Sequence, residues 1–397
     1  MLSDWGILCF APDPWDDIWR NRHQIMSLLA ERNRVLYVEP RPFLRDVVGR
    51  LRRGEFSLGE LRGQPPTRVS EGLHVFHQPL YAPLSGRQPL AALTDGLRAA
   101  ALKRAMRRLG IAQPILWLFR PDTADVPGRY NESLLVYHIV DEYLGYADVG
   151  SERTADIQRR ENALLERADL VLVTSRALLE SKGGTNPNTH WVANAVDYER
   201  FARVAAAPHE PESLAGLARP RIGYVGAIND KIDVALLERV AESHPEGTLV
   251  LVGPVTATDP ETLRGLDGLR ERPNVRFLGR VDVEKVPDHM LACDVGLLPY
   301  KRNAWTRHIH PLKMYEYLAC GLPVVSADIP SVHAEADLIE IAADGDAFVR
   351  AIDRALAYDD DTARAVRAER ASRNTWRDRV AEISRLVEET LARKGIA

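Results

Sequence analysis

The sequence predicts an α/β protein built of two doubly wound parallel-sheet domains that face one another across a cleft. Three observations carry this. Short apolar, β-branched runs alternate with longer stretches of helical period, the signature of parallel α/β layers. The alternation is set up twice, once on each side of Ala205–Pro220, a segment rich in Ala, Pro and Glu with neither period. At 397 residues the chain exceeds one ordinary core and suits two domains. The expected division is 1–204, a linker over 205–220, 221–375, and a closing helix over 376–397 that returns toward the first domain.

In the first half, strands are expected at Gly6–Ala11, Arg34–Val38, Leu73–His77, Pro114–Phe119, Leu134–Val140, Leu170–Thr174 and His190–Ala193. Between them, Arg22–Glu31 sets Ile25, Leu28 and Leu29 on one helical face, and Thr154–Ala168 does the same with Ile157, Leu164 and Leu165. The second half offers Arg221–Ala227, Thr248–Val252, Asn274–Leu278, Val295–Leu298, Pro323–Ala327 and Ile339–Ala342. Open α/β sheets bind ligands beyond the carboxyl ends of their strands, so the cleft is the expected site.

Composition narrows the function. Hydrophobic residues at 45% and charged residues at 27% are ordinary for a soluble globular chain. A formal net charge of -4 gives no basic excess for nucleic acid. The charge is uneven, with 27 basic against 25 acidic side chains in residues 1–205 and 25 against 31 in the rest. Any attraction to an anionic surface therefore belongs to the N-terminal half. Cys9, Cys293 and Cys320 lie far apart in apolar segments and read as buried free thiols in a reducing compartment. No charged, apolar leader and no membrane-spanning run is seen, so a cytoplasmic location is expected.

The most informative segment is His308–Pro323, HIHPLKMYEYLACGLP. Pro311 suits a helix start, while Gly321 and Pro323 end the helix. Lys313 and Glu316 are three apart and share a face. A helix N-terminus is an anion site, and Lys313 adds a full charge to it. Glu316, one turn on, is placed to accept hydrogen bonds from two vicinal sugar hydroxyls, so the face would read diphosphate and then ribose. The plain alternative is an exposed ion pair on an amphipathic helix.

From Pro311 to Val325 this pattern resembles the donor-site helix and following strand of GT-B glycosyltransferases. It is similar in particular to family-4 members and the teichuronic acid biosynthesis group. Gly223–Asp233, Leu251–Pro254, Val275–Gly279 and Cys293–Pro299 resemble the strands of the donor domain. Ala168–Ser175, Asn194–Asp197 and Asn374–Trp376 resemble the last N-domain strand, the Asn-Gly-Val-Asp before the linker, and the closing helix. The match is strong from about residue 134 onward.

The resemblance implies two Rossmann-like domains, the first for the acceptor and the second for the donor. It also implies a metal-independent hexosyltransferase using a UDP-, GDP- or dTDP-linked sugar as co-substrate and no cofactor. The acceptor would be a hydroxyl of a glycan or lipid-linked molecule in cell-envelope polysaccharide or glycoconjugate synthesis. Carried over by position, Glu316 holds the donor ribose, Gly226 and Ala227 lie beside the diphosphate, and Gly279, Arg280 and Val281 lie near the base. Lys231 falls where relatives place a phosphate-binding lysine. His308 stands where family-4 enzymes commonly carry a second Glu, and it counts with His310 among the donor-site residues. Ala227 stands where an arginine is common. These two departures bear on the sugar and the stereochemical outcome.

On the acceptor side, Asp141 and His138 end an N-domain strand. An inverting transferase needs a carboxylate or histidine there to deprotonate the acceptor hydroxyl. Asp141 as a helix cap and His138 as a core histidine are the plain alternatives. Trp15 and Trp19 suit stacking on an acceptor sugar, with Asp16, Asp17 or Arg22 bonding its hydroxyls; the alternative is an aromatic staple over the first helix. The one Asp-x-Asp, at Asp359–Asp361, reads as a solvated helix start, so no metal is expected. Phe43, Leu44, Val47, Val48 and Leu51 share a helical face among Arg41, Arg45, Arg50, Arg52 and Arg53. With Lys103, Arg104, Arg107 and Arg108, they suggest an anionic membrane surface at the inner face of the plasma membrane, or else an ordinary core helix.

Besides a transferase, an epimerase of the same architecture or a non-catalytic sugar-nucleotide-binding subunit would use the same donor site. A nicotinamide dehydrogenase is disfavoured, because no Gly-x-Gly-x-x-Gly follows a strand.

Overall fold

The computed structural model describes residues 1–54, 64–84, 89–146 and 152–396. Within them, the side chains of Asp46, Arg50, Leu51 and Tyr146 lie outside the described set. The chain forms two compact units. One comprises Met1–Thr174, Leu178–Val192 and Val380–Ala397; the other comprises Ser175–Ala177 and Ala193–Arg379.

The first unit holds β1 (Gly6–Phe10), β2 (Arg34–Val38), β3 (Thr67–Arg68), β4 (Leu73–Phe76), β5 (Ile115–Leu118), β6 (Leu134–Ile139), β7 (Leu170–Val173) and β8 (Thr189–Trp191). Their order is β3-β4-β2-β1-β5-β6-β7-β8, with every pair parallel except β3 with β4. Helices cover the sheet, so its strands read as continuous apolar runs. One face sets Leu8, Phe10, Leu116, Leu118 and Tyr137 against Leu102 and Met106 of the Leu90–Arg108 helix and Leu164 and Leu165 of the Glu152–Arg167 helix. In the closing Trp376–Arg393 helix, Val380, Ile383, Val387 and Leu391 recur at helical spacing and are buried. Lys394 then pairs with Asp169 at 2.7 Å.

The second unit holds β9 (Arg221–Val225), β10 (Thr248–Val252), β11 (Val275–Gly279), β12 (Val295–Leu298), β13 (Val324–Ala327) and β14 (Glu340–Ala342). All pairs are parallel, in the order β11-β10-β9-β12-β13-β14. This is the 3-2-1-4-5-6 winding of dinucleotide folds, and its direction reverses between β9 and β12.

The expected linker differs from what is observed. A helix runs Tyr198–Ala206, and a single turn follows at Glu212–Leu214. Phe201 and Leu214 are fully buried in the core of the second unit. Phe201 lies just before the expected linker, and within it Leu214 is the one fully buried apolar side chain, too little to set up a period. The second unit accordingly begins at Ala193. The two-residue edge strand β3 was not expected either; its residues are exposed and carry no apolar signal.

Candidate functional site

The reversal between β9 and β12 marks where a ligand crevice forms in such sheets. The helix Leu312–Ala319 lies between β12 and β13 in the chain and packs at that place. Tyr317 fixes it there, since its hydroxyl accepts from the backbone N–H of Val225, the last residue of β9, at 2.8 Å. Pro311 is the N-cap, so the helix starts at Leu312, one residue later than expected. At the other end, Gly321 at φ +71 supplies the left-handed residue of a C-terminal cap. There Gly321 N–H donates to Leu318 and Leu322 N–H donates to Tyr317.

Four helices of this unit are capped by an aspartate (Asp233, Asp259, Asp344 and Asp360) whose side chain accepts from a first-turn N–H. The Leu312–Ala319 helix has no side-chain cap. Its start is the positive end of the helix dipole, where an anion is favoured. Lys313 adds its charge beside Gly226, the residue that follows β9. Gly226 has φ +146, and a methyl there would overlap Cε and Nζ of Lys313. The ammonium also stands 5.3 Å from the centre of the Tyr224 ring. Lysine, glycine backbone and helix start thus converge.

Glu316 follows one turn on and keeps part of its side chain open. Burial pushes its carboxyl above the usual carboxylate range, while the charges of Lys313 and Arg200 pull it back. Arg200 had no sequence signal. It lies on the Tyr198–Ala206 helix, which packs on the Glu316 helix, and is 9% exposed. Among the described residues its Nε has no hydrogen-bond partner, and its ion pairs are loose, 3.7 Å to Asp197 and 4.0 Å to Glu284.

The other residues expected at a donor site belong to the same unit. Ala227 follows Gly226, and its carbonyl accepts from the Tyr224 hydroxyl at 2.8 Å. Lys231 places its ammonium 5.4 Å from the centre of the Tyr300 ring. Gly279, at φ +69, ends β11 and continues into exposed Arg280 and half-buried Val281. His308 bonds back to the carbonyl of Ala304 at 2.8 Å. His310 is buried against Tyr315, and its carbonyl accepts from Asn194 at 2.7 Å. Burial, with the Arg379 charge, pushes its pKa down to about 4, so the ring is neutral. Asn194 and Asp197 thereby find their roles: one pins the approach to the Leu312 helix, and the other begins the Arg200 helix.

In the first unit, Asp141 follows β6 and its carboxylate accepts from the N–H of Glu142 at 3.0 Å. Glu142 is held by Lys182 at 3.0 Å, and Lys182 also holds Glu161 at 2.8 Å, so a buried charge triad anchors the segment after β6. His138 is 1% exposed and stacks on Phe119 with ring centres 5.2 Å apart. Neither ring nitrogen has a hydrogen-bond partner among the described residues. Burial, then the Arg22 charge, pushes its pKa down to about 3.

Trp15 is buried edge-on to Tyr37 at 5.0 Å and to Trp19 at 5.8 Å, in a cluster with His23. Its ring is therefore packed into protein. Asp16 is exposed. Arg22 is buried, paired with Asp13, and lies 5.9 Å from the Phe119 ring. Asp360 caps the Asp361–Ser372 helix while Asp359 pairs with Arg364 and Arg367. Among the described residues no group of three His, Cys, Asp or Glu side chains gathers as a metal site.

Residues 219–358, the segment that carries this centre, match the family model described as glycosyl transferases group 1. The fold matches the sucrose-phosphate synthase of Thermosynechococcus elongatus with a TM-score of 0.69 at 19% identity, over 98% of this chain and 99% of that one. HepE of Anabaena, solved in complex with UDP-glucose, matches with a TM-score of 0.65 at 16% identity over 98% and 99%. The chain thus carries a glycosyl transferases group 1 domain over residues 219–358, within a fold of the GT-B architecture. In sequence it is similar to TuaH of Bacillus subtilis (strain 168), named as a teichuronic acid biosynthesis glycosyltransferase. The two are 27% identical over 333 residues, 80% of this chain and 78% of TuaH.

Proposed function

We propose that the protein moves a hexosyl group from a nucleotide-sugar donor to a hydroxyl of a glycan or lipid-linked acceptor without a metal. The location is cytoplasmic, at the inner face of the plasma membrane. One observation carries the donor assignment: the Lys313 ammonium rests against Gly226 at the uncapped start of a helix seated where the sheet winding reverses. Fixed N–H dipoles and one cation at that point suit a diphosphate, whose charge grows as the bond to the sugar breaks. Lys313 and the helix N–H groups bind it, and Glu316 accepts from the two ribose hydroxyls. The complexes of HepE with UDP and UDP-glucose support a nucleotide sugar as the donor class, and TuaH supports an envelope polysaccharide as the setting.

In the transfer, the bond between the anomeric carbon and the diphosphate oxygen breaks and a bond to the acceptor oxygen forms. Asp141 takes the acceptor proton. His138, with a pKa pushed to about 3, holds too little affinity for a proton to serve instead at neutral pH. Thermal unfolding with UDP-, GDP- and dTDP-sugars tests the reading, since a ligand at 100 times its Kd adds about 2.7 kcal/mol. Stabilisation by one nucleotide class, followed by sugar transfer in product analysis, is expected. An epimerised donor or binding without turnover would overturn the transferase assignment, and no stabilisation by any class would overturn the donor site.

A further inference from the structure

The first unit carries an exposed apolar face bordered by cations. Of the eleven large apolar side chains left exposed among the described residues, seven fall between Phe43 and Leu97, so they are not scattered singly. Backbone bonds join two of their segments: Leu84 N–H donates to Pro42 at 2.9 Å and Leu44 N–H donates to Leu84 at 3.0 Å. Arg41 joins the third, bonding the carbonyls of Ala82 and Pro83 and pairing with Asp95 of the Leu90–Arg108 helix. Its charge is used internally, and the expectation that Arg41 faces a membrane is corrected accordingly. Phe43 and Leu84 thus lie side by side, with Arg41 tying their segments to that helix; Phe43 is 48% exposed and Leu93, on the helix, 60%.

Along the helix, Leu90, Leu93, Leu97, Ala100, Arg104 and Arg107 recur at three- and four-residue steps and are all exposed. Leu102, Ala105 and Met106 occupy the opposite, buried side. The exposed stripe is thus apolar over its first three turns and basic over its last two, where Arg108 lies alongside. At the other border, Arg45, Arg52 and Arg53 are exposed, with the Arg45 guanidinium 5.1 Å from the centre of the Phe43 ring.

We propose that this face is a docking surface for an anionic phospholipid bilayer, with Phe43, Leu84, Leu93 and Leu97 entering the headgroup boundary and the arginines meeting lipid phosphates. The charge pattern selects this occupant: an apolar centre between two basic borders complements a negatively charged interface. No described helix is long and apolar enough to cross a membrane, so the contact is made from the surface. The inference refines the membrane location proposed above and is independent of the donor site.

Flotation of the full chain with vesicles of phosphatidylglycerol and phosphatidylcholine, or of phosphatidylcholine alone, tests it. The parent is expected to float with the anionic vesicles only and to be released by salt. Arg104→Gln, Arg107→Gln and Arg108→Gln together should weaken binding about fivefold per charge, and Leu93→Ser with Leu97→Ser about tenfold or more. All five positions are exposed, so folding and donor binding, read by calorimetry with UDP, should stay as in the parent. Equal flotation of parent and variants would overturn the proposal. Absence of vesicle binding would do the same, including the case where the Leu93/Leu97 variant instead abolishes self-association and the face joins two copies.

Discussion

Gly226→Ala puts the donor-site geometry at risk with a single methyl group. The new Cβ would overlap Cε and Nζ of Lys313 and stand 3.3 Å from its Cδ. The side chain is long and can swing away, so the clash itself is relieved, but only by moving the ammonium off the end of β9. A second cost is local: φ +146 is a conformation that alanine rarely adopts, and such strain costs about 1–3 kcal/mol. For a unit of this size that lowers Tm by about 2–12 °C. A charge-assisted hydrogen bond to phosphate contributes about 1.5–3 kcal/mol, so losing Lys313 from its place should weaken a nucleoside diphosphate about ten- to a hundredfold. The free nucleoside presents no phosphate and should bind nearly as in the parent. Calorimetry with both ligands, beside a melting curve, reads the two effects separately. Parent-like affinity for the diphosphate would refute the reasoning. So would an equal loss for both ligands, because it would report general damage to the unit.

Asp141→Asn should leave donor binding nearly intact while turnover falls about a hundredfold; single-turnover assays with a competent acceptor check this, and unchanged turnover would reduce Asp141 to its local bond with Glu142. Arg200→Gln should move a pH limb. In the proposed donor site ribose binding needs the Glu316 carboxylate, whose pKa burial raises and Lys313 and Arg200 lower, so affinity is expected to fall as pH drops through it. Beside Glu316 also stand Tyr300, Tyr317 and Cys320, which stay neutral there, with Asp197 and Glu284 against Arg200. Without Arg200 that pKa rises and the loss begins at higher pH; a Glu316→Gln background should show no limb to move. Lys182→Met should destabilise the first unit by about 3–5 kcal/mol by leaving the carboxylates of Glu142 and Glu161 buried without their cation. Burial already raises the Glu161 carboxyl, so in the variant the loss should shrink as pH falls and that group takes up a proton. Urea unfolding at several pH values tests it.

The central strands were legible because they are short apolar runs buried on both faces, which leaves little else that such residues can form. The two-residue β3 was not, since Thr67 and Arg68 are exposed and only pairing with β4 defines them. Leu214 was missed for a related reason: one buried leucine in a Pro- and Glu-rich stretch makes no period. At the proposed donor centre, the shared helical face of Lys313 and Glu316 was readable from their spacing and from the motif around them. Arg200 was not, because the two helices that bring it near Glu316 are separated by most of a domain in sequence. The same holds for Trp15. Its sequence neighbours offer an open aromatic loop, whereas Tyr37 and His23, which bury it, come from a strand and a helix further on.

The most direct test of the donor assignment is calorimetric titration of nucleoside, nucleoside diphosphate and nucleotide sugar into the parent, Lys313→Ala and Glu316→Ala. Loss of a hydrogen bond to a charged group costs about 1.5–3 kcal/mol. Glu316→Ala is therefore expected to weaken all three ligands about ten- to a hundredfold, because each carries the ribose. Lys313→Ala is expected to weaken the two phosphate-bearing ligands and scarcely touch the nucleoside. Parent-like binding of every ligand by Glu316→Ala would contradict the account and place the donor elsewhere.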